Sequence, residues 1–268
     1  MTDATSIPSG AEGEILLDTV DGVATITLNR PTRKNAMTTA SWMRLGEIVR
    51  GVREDEAVRA VVLTGADKDF CSGADLAGPP DPRHPLTRMN GFSDIAVALY
   101  EMPKPVIARI DGIAAGAGCN LALGCDFVVA TPRSRFSEIF VRRGLSLDFG
   151  GAWLLPRIVG LQQAKRLALL GEIIDAAEAE RIGMVTWVRD EDEIDAFVAD
   201  VASRLAAGPP TAMALNKLML HEGTNQNLRE ALDSEARSQL INFATDAPTA
   251  KQAFLDKTDP VFEGRWRL

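Results

Sequence analysis

Histidine and cysteine are both scarce in this chain of 268 residues. Only His84 and His221 could supply an imidazole, which leaves few ways to build a histidine-rich zinc site or a Ser-His-Asp triad. The three cysteines form no CxxC pair and lie in apolar or glycine-rich surroundings: Cys71, Cys119 and Cys125. We therefore predict reduced, packed cysteines and no metal site.

Basic residues are also fewer than acidic residues. The 29 Lys plus Arg face 37 Asp plus Glu, which gives a net charge of -8. This is the wrong sign for a protein that binds polyanions non-specifically, so we expect no nucleic acid partner. A phosphorylated ligand is still compatible with this charge, because a few basic side chains placed locally suffice to hold it.

Neither the pattern of a signal peptide nor that of an uninterrupted membrane span is recognisable in the sequence. Residues 1–14 are polar and acidic and lack a basic n-region and an apolar h-region, so we expect a cytoplasmic location. Residues 111–130 are hydrophobic, but Asp111, Asn120, Asp126 and four glycines interrupt them. We predict a buried helix and strand there, with no membrane contact.

The N-terminal part of the chain has the pattern of a β-hairpin. Residues 14–20 and 23–29 are apolar, β-branched runs, and Asp21-Gly22 between them tolerates the positive φ of a tight two-residue turn.

Strand and helix patterns then alternate. Thr38 or Thr39 could cap a helix whose apolar residues recur at helical spacing, namely Trp42, Leu45, Ile48 and Val49. The next predicted elements are a buried strand over 59–65, a long loop rich in glycine and proline over 66–91, a helix over about 93–102 and a strand over 105–110. This alternation predicts an α/β fold with a parallel or mixed sheet covered by helices.

The character of the chain changes near residue 191. Three successive amphipathic helices follow without a strand between them. We therefore predict a core over residues 1–190 and a helical region over 191–268, which folds over the core or reaches a neighbouring subunit.

Two segments combine small residues with the ends of strands. FCSGADLAG (70–78) and GIAAGAGCNLALGCD (112–126) would let a ligand approach backbone N–H groups closely. Gly116-Ala117-Gly118 also opens a predicted helix, so the Ala117 N–H would be a free donor at the positive end of a helix dipole. Two such donors aimed at one carbonyl oxygen would stabilise an enolate.

These segments and their surroundings resemble the crotonase, or enoyl-CoA hydratase/isomerase, superfamily over nearly the whole chain. The resemblance is carried by ITLNRPTRKNAM (26–37), VVLTG (61–65), FCSGADL (70–76), DGIAAGAGCNLALGCD (111–126), GLSLDFGGAWLLPRIVG (144–160) and FLDKTDPVFEG (254–264). The motifs are most similar to the ring-epoxide isomerase branch of phenylacetate degradation.

The resemblance implies a crotonase/ClpP-like spiral of ββα units with a C-terminal helical trimerisation region. It implies homotrimers, often paired into hexamers, and acyl-CoA thioester substrates whose coenzyme A is part of the substrate, so that no separate cofactor is expected. The two oxyanion-hole donors of the family fall on the backbone N–H groups of Ala74 and Ala117.

The two glutamates of typical hydratases in this family fall on Asn120 and Phe140 of this chain. An amide does not titrate usefully and a phenyl ring has no proton to exchange, so neither can act as a general base. This argues against the two-glutamate hydration of a 2-enoyl-CoA.

Asp148 is the replacement candidate. It lies between Leu147 and Phe149, and desolvation in such a pocket raises a carboxyl pKa toward a value suited to proton exchange. In similar isomerases a single carboxylate moves a proton along the acyl chain, and we predict that role for Asp148. The alternative is that Asp148 only caps a helix starting at Gly150.

Glu138 is the other carboxylate nearby. It lies two residues from the hydratase register, and we expect it to be exposed or salt-bridged. A shift of two residues in that loop would restore it to the register.

The remaining predicted contacts border the ligand. In the family the loop after the first hairpin lies near the adenine and phosphates, and the C-terminal region can approach the 3′-phosphate. The predicted substrate-binding residues are Arg33, Lys34, Ala36, Asp75, Leu76, Gly116, Asn120, Phe140 and Lys257. Met89, Ile95 and Trp153 are candidates for the acyl pocket.

Two alternatives to an isomerase stay open at this point. One is a 2-enoyl-CoA hydratase that uses Glu138 or Asp148, with Asn120 holding the water. The other is a catalytically silent acyl-CoA-binding protein that keeps the oxyanion hole.

Overall fold

The computed structural model describes residues 13–77 and 81–266. Most of the acidic N-terminal stretch and the Gly78-Pro79-Pro80 part of the predicted loop lie outside the described residues. The strands are β1 (Ile15–Val20), β2 (Val23–Leu28), β3 (Ala60–Gly65), β4 (Val106–Ile110), β5 (Ile113–Ala115), β6 (Phe127–Ala130), β7 (Arg135–Ser137), β8 (Ile173–Asp175) and β9 (Trp187–Val188).

The helices surround these strands. They are α1 (Thr39–Glu54), α2 (Pro85–Tyr100), α3 (Ala117–Leu123), α4 (Gly151–Val159), α5 (Leu161–Leu170), α6 (Ala176–Arg181), α7 (Ile194–Ala207), α8 (Pro210–Gly223), α9 (Leu228–Phe243) and α10 (Ala247–Asp256). Two short 3-10 helices cover Pro31–Arg33 and Ile139–Arg143.

The strands form two sheets. The larger has the order β1-β2-β3-β4-β6-β9, in which β1 and β2 are antiparallel and the other pairs are parallel. The smaller has the order β5-β7-β8, with β5 and β7 parallel. The predicted α/β class with a mixed sheet is therefore confirmed.

The predicted hairpin is present with its predicted turn. Val20 pairs with Val23, and the two residues between them have positive φ values, 49° for Asp21 and 78° for Gly22. Positive φ at both central positions matches the right-handed twist of the flanking strands.

Helix α1 begins as the sequence predicts. The Thr38 side chain accepts from the Ser41 N–H and the Ser41 hydroxyl accepts from the Thr38 N–H, which forms a reciprocal capping box. The predicted apolar face, Trp42, Leu45, Ile48 and Val49, is buried in the main hydrophobic core.

The predicted loop over 66–91 is too long at its C-terminal end. Helix α2 begins at Pro85 instead of residue 93, because His84 Nδ1 accepts from the Leu86 N–H and Pro85 occupies the first helical turn. Proline is favoured there, since its φ is already helical and its missing N–H would have had no helical partner.

The hydrophobic stretch over 111–130 folds as β5, α3 and β6. The predicted buried helix and strand are α3 and β6, and β5 is an additional short strand that the sequence does not predict. Cys71, Cys119 and Cys125 are free thiols that pack inside the protein. Within the described ranges, no helix has both the length and the apolar character needed to cross a bilayer.

The helices from residue 194 onward follow one another without a strand in the described chain, as predicted. Helix α7 packs Ile194, Val198 and Val201 onto the sheet against Val62 and Ile107. The C-terminal helical region therefore begins by covering one face of the core.

Close backbone packing at Gly118 brings the two glycine-rich segments together. A Cβ on Gly118 would lie 2.7 Å from the Cβ of Cys71, and no side chain can be accommodated at that distance. The first turn of α3 can approach the chain at Cys71 only because residue 118 is glycine.

Replacing Gly118 by alanine should therefore destabilise the protein by about 1–3 kcal/mol, because the added methyl group forces α3 away from Cys71. Gly51→Ala is the matched control, since Gly51 is also helical and has no atom within 4 Å of an added Cβ. Thermal unfolding of both variants measures the effect. An equal melting temperature for the two variants would contradict this account of α3 packing.

Candidate active site

The first predicted donor, the N–H of Ala74, is oriented by backbone pairing around Met37. The Met37 N–H donates to the Gly73 carbonyl (2.8 Å), and the Asp75 N–H donates to the Met37 carbonyl (2.9 Å). Because the groups on either side of Ala74 face Met37, the N–H of Ala74 points to the other side of the chain.

The second predicted donor, the N–H of Ala117, lies at the first residue of α3. Gly116 precedes it with φ 57° and ψ -130°, a conformation that glycine adopts readily, and the Gly116 N–H is bonded to the Ser137 carbonyl (2.9 Å). Among the described residues, neither the Ala74 N–H nor the Ala117 N–H donates to a protein acceptor.

The two donor segments meet at Gly73. Its φ is 94°, and a Cβ there would lie 2.9 Å from the Ala115 carbonyl oxygen and 3.6 Å from the Ala117 nitrogen. The structure therefore brings both predicted oxyanion donors to one place, with free N–H groups. Such an arrangement favours a negatively charged oxygen.

Asn120, Glu138 and Asp148 form a buried polar cluster beside α3. The Nδ2 of Asn120 donates to the Glu138 Oε2 (3.3 Å) and to the backbone carbonyl of Asp148 (2.9 Å). Three oxygens of the cluster are buried without a hydrogen-bond partner in the described chain: Asn120 Oδ1, Glu138 Oε1 and Asp148 Oδ1. Unsatisfied buried acceptors are rare, and their concentration here is typical of a functional site.

Burial shifts the acidity of both carboxyls. Desolvation raises the pKa of Glu138 to about 7; hydrogen bonding to Cys119 and Asn120 offsets part of this, and the charge of Asp148 adds to it. Desolvation likewise raises the pKa of Asp148 to about 6. Both groups are therefore suited to proton exchange near neutral pH.

The expectation that Glu138 is exposed or salt-bridged is wrong. Its residue is only 1% exposed, and its polar neighbour is the amide of Asn120 instead of a cation. Glu138 directly follows β7, whose pairing with β5 carries the side chain inside next to α3. The sequence signal that could have revealed this is its position in Phe136-Ser137-Glu138-Ile139-Phe140, which contains no other charge.

The alternative that Asp148 caps the next helix is also wrong. Helix α4 begins at Gly151, its N-cap is Gly150, and no side chain makes a capping hydrogen bond. Asp148 contributes only its backbone carbonyl, which accepts from the Gly151 N–H (3.0 Å). Its carboxylate is left available.

Asn120 and Phe140, which occupy the register of the hydratase glutamates, are both buried. The tip of the Phe140 ring lies 3.7 Å from the position that a Cβ on Gly116 would occupy. An aromatic ring therefore borders the Ala117 donor at the place where the register would put a carboxylate.

A mostly apolar cavity of about 220 Å³ adjoins the polar cluster. Its wall includes Asn120 and also Phe149 and Gly150, which directly follow Asp148, together with Tyr100 and the predicted acyl contact Trp153.

Ile95, another predicted acyl contact, is instead 1% exposed and belongs to the hydrophobic core, and Met89 does not line this cavity. A larger cavity of about 500 Å³ lies between α4 and α8. The C-terminal end of the second glycine-rich segment, residues 123–126, lines it, but Ala74 and Ala117 do not.

The loop after the first hairpin is held by Asn35. Its side chain accepts from the Arg30 N–H (2.8 Å) and donates to the carbonyls of Ala66 (2.9 Å) and Asp69 (2.6 Å). Arg33 and Lys34 are left exposed on this fixed loop, where they remain the predicted phosphate contacts.

Asp75 has a structural partner that the sequence did not reveal. Its carboxylate pairs with the Arg30 guanidinium (3.0 Å), whose hydrogen bond holds the pKa of Asp75 below its usual range. The same guanidinium donates to the Ala36 carbonyl, so Arg30 connects the segment that contains Ala74 and Asp75 to the loop after the first hairpin.

Two other predicted contacts are exposed: Leu76, next to Asp75, is 70% exposed, and Lys257 lies at the end of α10.

Known proteins are similar to this chain over nearly their full length. The chain matches the enoyl-CoA hydratase/isomerase family over residues 18–265. The 1,2-epoxyphenylacetyl-CoA isomerase of Escherichia coli (strain K12) is 37% identical, over 94% of this chain and 99% of the relative. The crotonyl-CoA hydratase of Syntrophomonas wolfei is 34% identical, over 91% and 95%. The crystal structure of an enoyl-CoA hydratase from Bacillus anthracis has a TM-score of 0.89 at 30% identity, covering 94% of this chain and all (100%) of that chain.

The chain therefore belongs to the enoyl-CoA hydratase/isomerase family and has the crotonase fold. It is an acyl-CoA enzyme of that family. Its relatives include both isomerases and hydratases, so the particular reaction has to be argued from the chemistry of the site.

The raised pKa of Glu138 predicts a specific dependence of stability on pH. A carboxyl whose pKa is higher in the folded protein stabilises the fold fully below its ordinary pKa of 4.5, and this contribution is lost as the pH rises toward about 7. The loss amounts to about 3 kcal/mol of unfolding free energy. Glu138→Gln should therefore lose less stability than the wild type between pH 5 and pH 8, as measured by chemical denaturation. Parallel pH dependences for the two proteins would show that Glu138 ionises as freely as an exposed glutamate.

Proposed function

We propose that the protein is an enoyl-CoA isomerase, in which Asp148 moves a proton along the acyl chain while Ala74 and Ala117 hold the thioester oxygen. The observation that carries the proposal is the Asp148 carboxylate. It has a raised pKa and one oxygen without a partner, and the two residues that follow it, Phe149 and Gly150, line an apolar cavity.

The reaction needs one base and one oxyanion site. The ionised Asp148 removes a proton from C2 of a 3-enoyl thioester, and the C–H electrons delocalise to give a dienolate. The backbone N–H groups of Ala74 and Ala117 stabilise the negative oxygen. Asp148 then returns the same proton to C4, which yields the 2-enoyl thioester without a net change in composition.

Burial explains why one carboxyl can perform both steps. With a pKa of about 6, Asp148 is ionised near neutral pH and is still basic enough to accept a proton from an activated carbon. An exposed aspartate with an ordinary pKa would be a weaker base than Asp148 by about two pKa units.

Hydration of a 2-enoyl thioester is the competing reaction. It would use Glu138 and Asp148 as two acid–base groups around a water molecule, and the free Oδ1 of Asn120 as an acceptor for that water. The near-complete burial of Glu138 disfavours this reaction, because a general acid or base must reach the water directly. A silent acyl-CoA-binding protein would need no base with a raised pKa.

Incubation with matched 2-enoyl-CoA and 3-enoyl-CoA thioesters separates these possibilities. We expect interconversion of the two enoyl isomers. Accumulation of a 3-hydroxyacyl product would favour the hydratase, and tight binding without turnover would favour the silent protein.

Asp148→Asn should lower kcat for isomerisation on the order of 10²–10⁴-fold, because an amide cannot accept the C2 proton. The wild-type kcat/KM should fall as the pH drops below about 6, where Asp148 becomes protonated. Asp94→Asn, which neutralises an exposed carboxylate on α2, is the matched control. Isomerase activity that survives in Asp148→Asn would exclude Asp148 as the base.

Ala117→Pro tests the oxyanion hole without removing a side-chain function. Proline is tolerated at the first residue of a helix but has no N–H, so we expect kcat to fall about 10²–10³-fold with α3 preserved. Ala117→Gly retains the N–H and should stay within about threefold of the wild type. Equal rates for the proline and glycine variants would rule out the Ala117 N–H as a donor to the transition state.

A further inference from the structure

Glu138 is a buried ionisable group that the proposed isomerisation does not use. It is 1% exposed, it follows β7, and its Oε1 has no partner in the described chain. Burying a carboxyl is costly unless other groups compensate. We therefore expect Glu138 to contribute to the structure or the chemistry of the site.

The side chain of Asn120 links Glu138 to Asp148. An amide nitrogen carries two protons, and here one is donated to Glu138 Oε2 and the other to the Asp148 carbonyl. Because both neighbours are acceptors, the amide has to present its nitrogen to them. Its Oδ1 is then left buried without a hydrogen-bond partner, in a residue that borders the small cavity.

The same link fixes the loop that carries Asp148. The Asp148 carbonyl accepts from Asn120 Nδ2 (2.9 Å) and from the Gly151 N–H (3.0 Å). The amide fits closely under α4, since a Cβ on Gly151 would lie 2.7 Å from the Cγ of Asn120. With its carbonyl held from two sides, the backbone of Asp148 has little freedom to turn its carboxylate.

We propose that Glu138 is a positioning residue, which acts through the amide of Asn120 to hold the Asp148 backbone in the orientation that the reaction requires. This inference rests on the proposed function of Asp148. Glu138 does not touch the substrate; its contribution is to fix the amide of Asn120, and thereby both the Asp148 loop and the acceptor that Asn120 offers to the cavity.

The groups that face Glu138 make it responsive to the state of Asp148. In the described chain, its titratable neighbours are the Cys119 thiol of α3 and Asp148 in the loop before α4. The negative charge of Asp148 favours the protonated form of Glu138. Ionisation of Glu138 in turn disfavours ionisation of Asp148, so the wild-type pH profile of kcat/KM should contain two inflections.

Two substitutions at residue 138 separate positioning from simple packing. Glu138→Met keeps the side-chain length but removes the carboxylate that accepts from Asn120. We expect kcat to fall about 10²-fold while KM changes little, because a small displacement of the Asp148 carboxylate slows proton transfer more than it weakens substrate binding. Glu138→Gln keeps an acceptor for Asn120 and should restore most of that loss. Its pH profile of kcat/KM should contain only the inflection of Asp148, because glutamine does not titrate.

A crystal structure of Glu138→Met gives a readout that does not depend on activity. We expect the Asn120 amide to turn, with its Nδ2 more than 3.5 Å from the Asp148 carbonyl, beyond hydrogen-bond distance. A wild-type kcat in Glu138→Met, or an unmoved Asn120 amide, would overturn the inference. Equal impairment of the methionine and glutamine variants would also overturn it.

If Glu138→Met fails to fold, Asn120→Ala replaces it. Removing the amide breaks the same link, so kcat should fall by a similar factor, about 10²-fold, while KM changes little. A wild-type kcat in Asn120→Ala would contradict the inference. Wild-type protein that does not isomerise a 3-enoyl thioester would instead refute the proposed function, and the crystal structure of either variant would then decide the positioning role alone.

Discussion

The approach of the Cys71–Asp75 segment to the first turn of α3 is the contact on which the rest of the site depends. It brings a strand-like backbone and a helix N-terminus close enough for two N–H groups to address one oxygen. Gly118 permits the approach because any side chain there would overlap Cys71, and Gly73 permits the turn at φ 94°. The Arg30–Asp75 pair also holds this segment, and the Asn35 hydrogen bonds hold the chain just before it, at Ala66 and Asp69.

A second constraint is the desolvation of two carboxyls beside this contact. The free energy lost by burying Glu138 and Asp148 is expressed as raised pKa values, which make proton exchange possible near neutral pH. In the proposed reaction the donors stabilise negative charge on the substrate oxygen, and the aspartate removes and returns the proton. The proposal favours moving a double bond over adding water, because the addition of water needs two groups that reach the water molecule.

Much of the fold could be predicted from the sequence because it depends on local patterns. The hairpin turn at Asp21-Gly22, the cap at Thr38 and the helices after residue 191 all have signals within a few residues. The strands β5, β7 and β8 are each three residues long, too short for a reliable period, and they form only by pairing with one another. The sequence does not predict the start of α2 at Pro85. Several prolines lie close together there, and nothing in the local pattern distinguishes the one that begins a helix from those in the loop.

The site was predictable where it depends on backbone and unpredictable where it depends on long-range packing. Ala74, Ala117 and Asp148 were identified from their motifs, and the structure brings the two donor segments together. The burial of Glu138 follows from the pairing of β5 with β7, and the engagement of Asp75 follows from contact with Arg30, 45 positions earlier in the chain. For Asp75 the neighbouring sequence contains no signal of this contact, and for Glu138 the only local signal is that residues 136–140 contain no other charge.

A crystal structure with a non-reactive acyl-CoA bound would show directly how the thioester is held. We expect the thioester oxygen to lie within hydrogen-bond distance of the backbone nitrogens of Ala74 and Ala117, and the Asp148 carboxylate to face C2 and C4 of the acyl chain. A thioester oxygen held elsewhere, or Glu138 as the carboxylate nearest C2, would contradict this expectation.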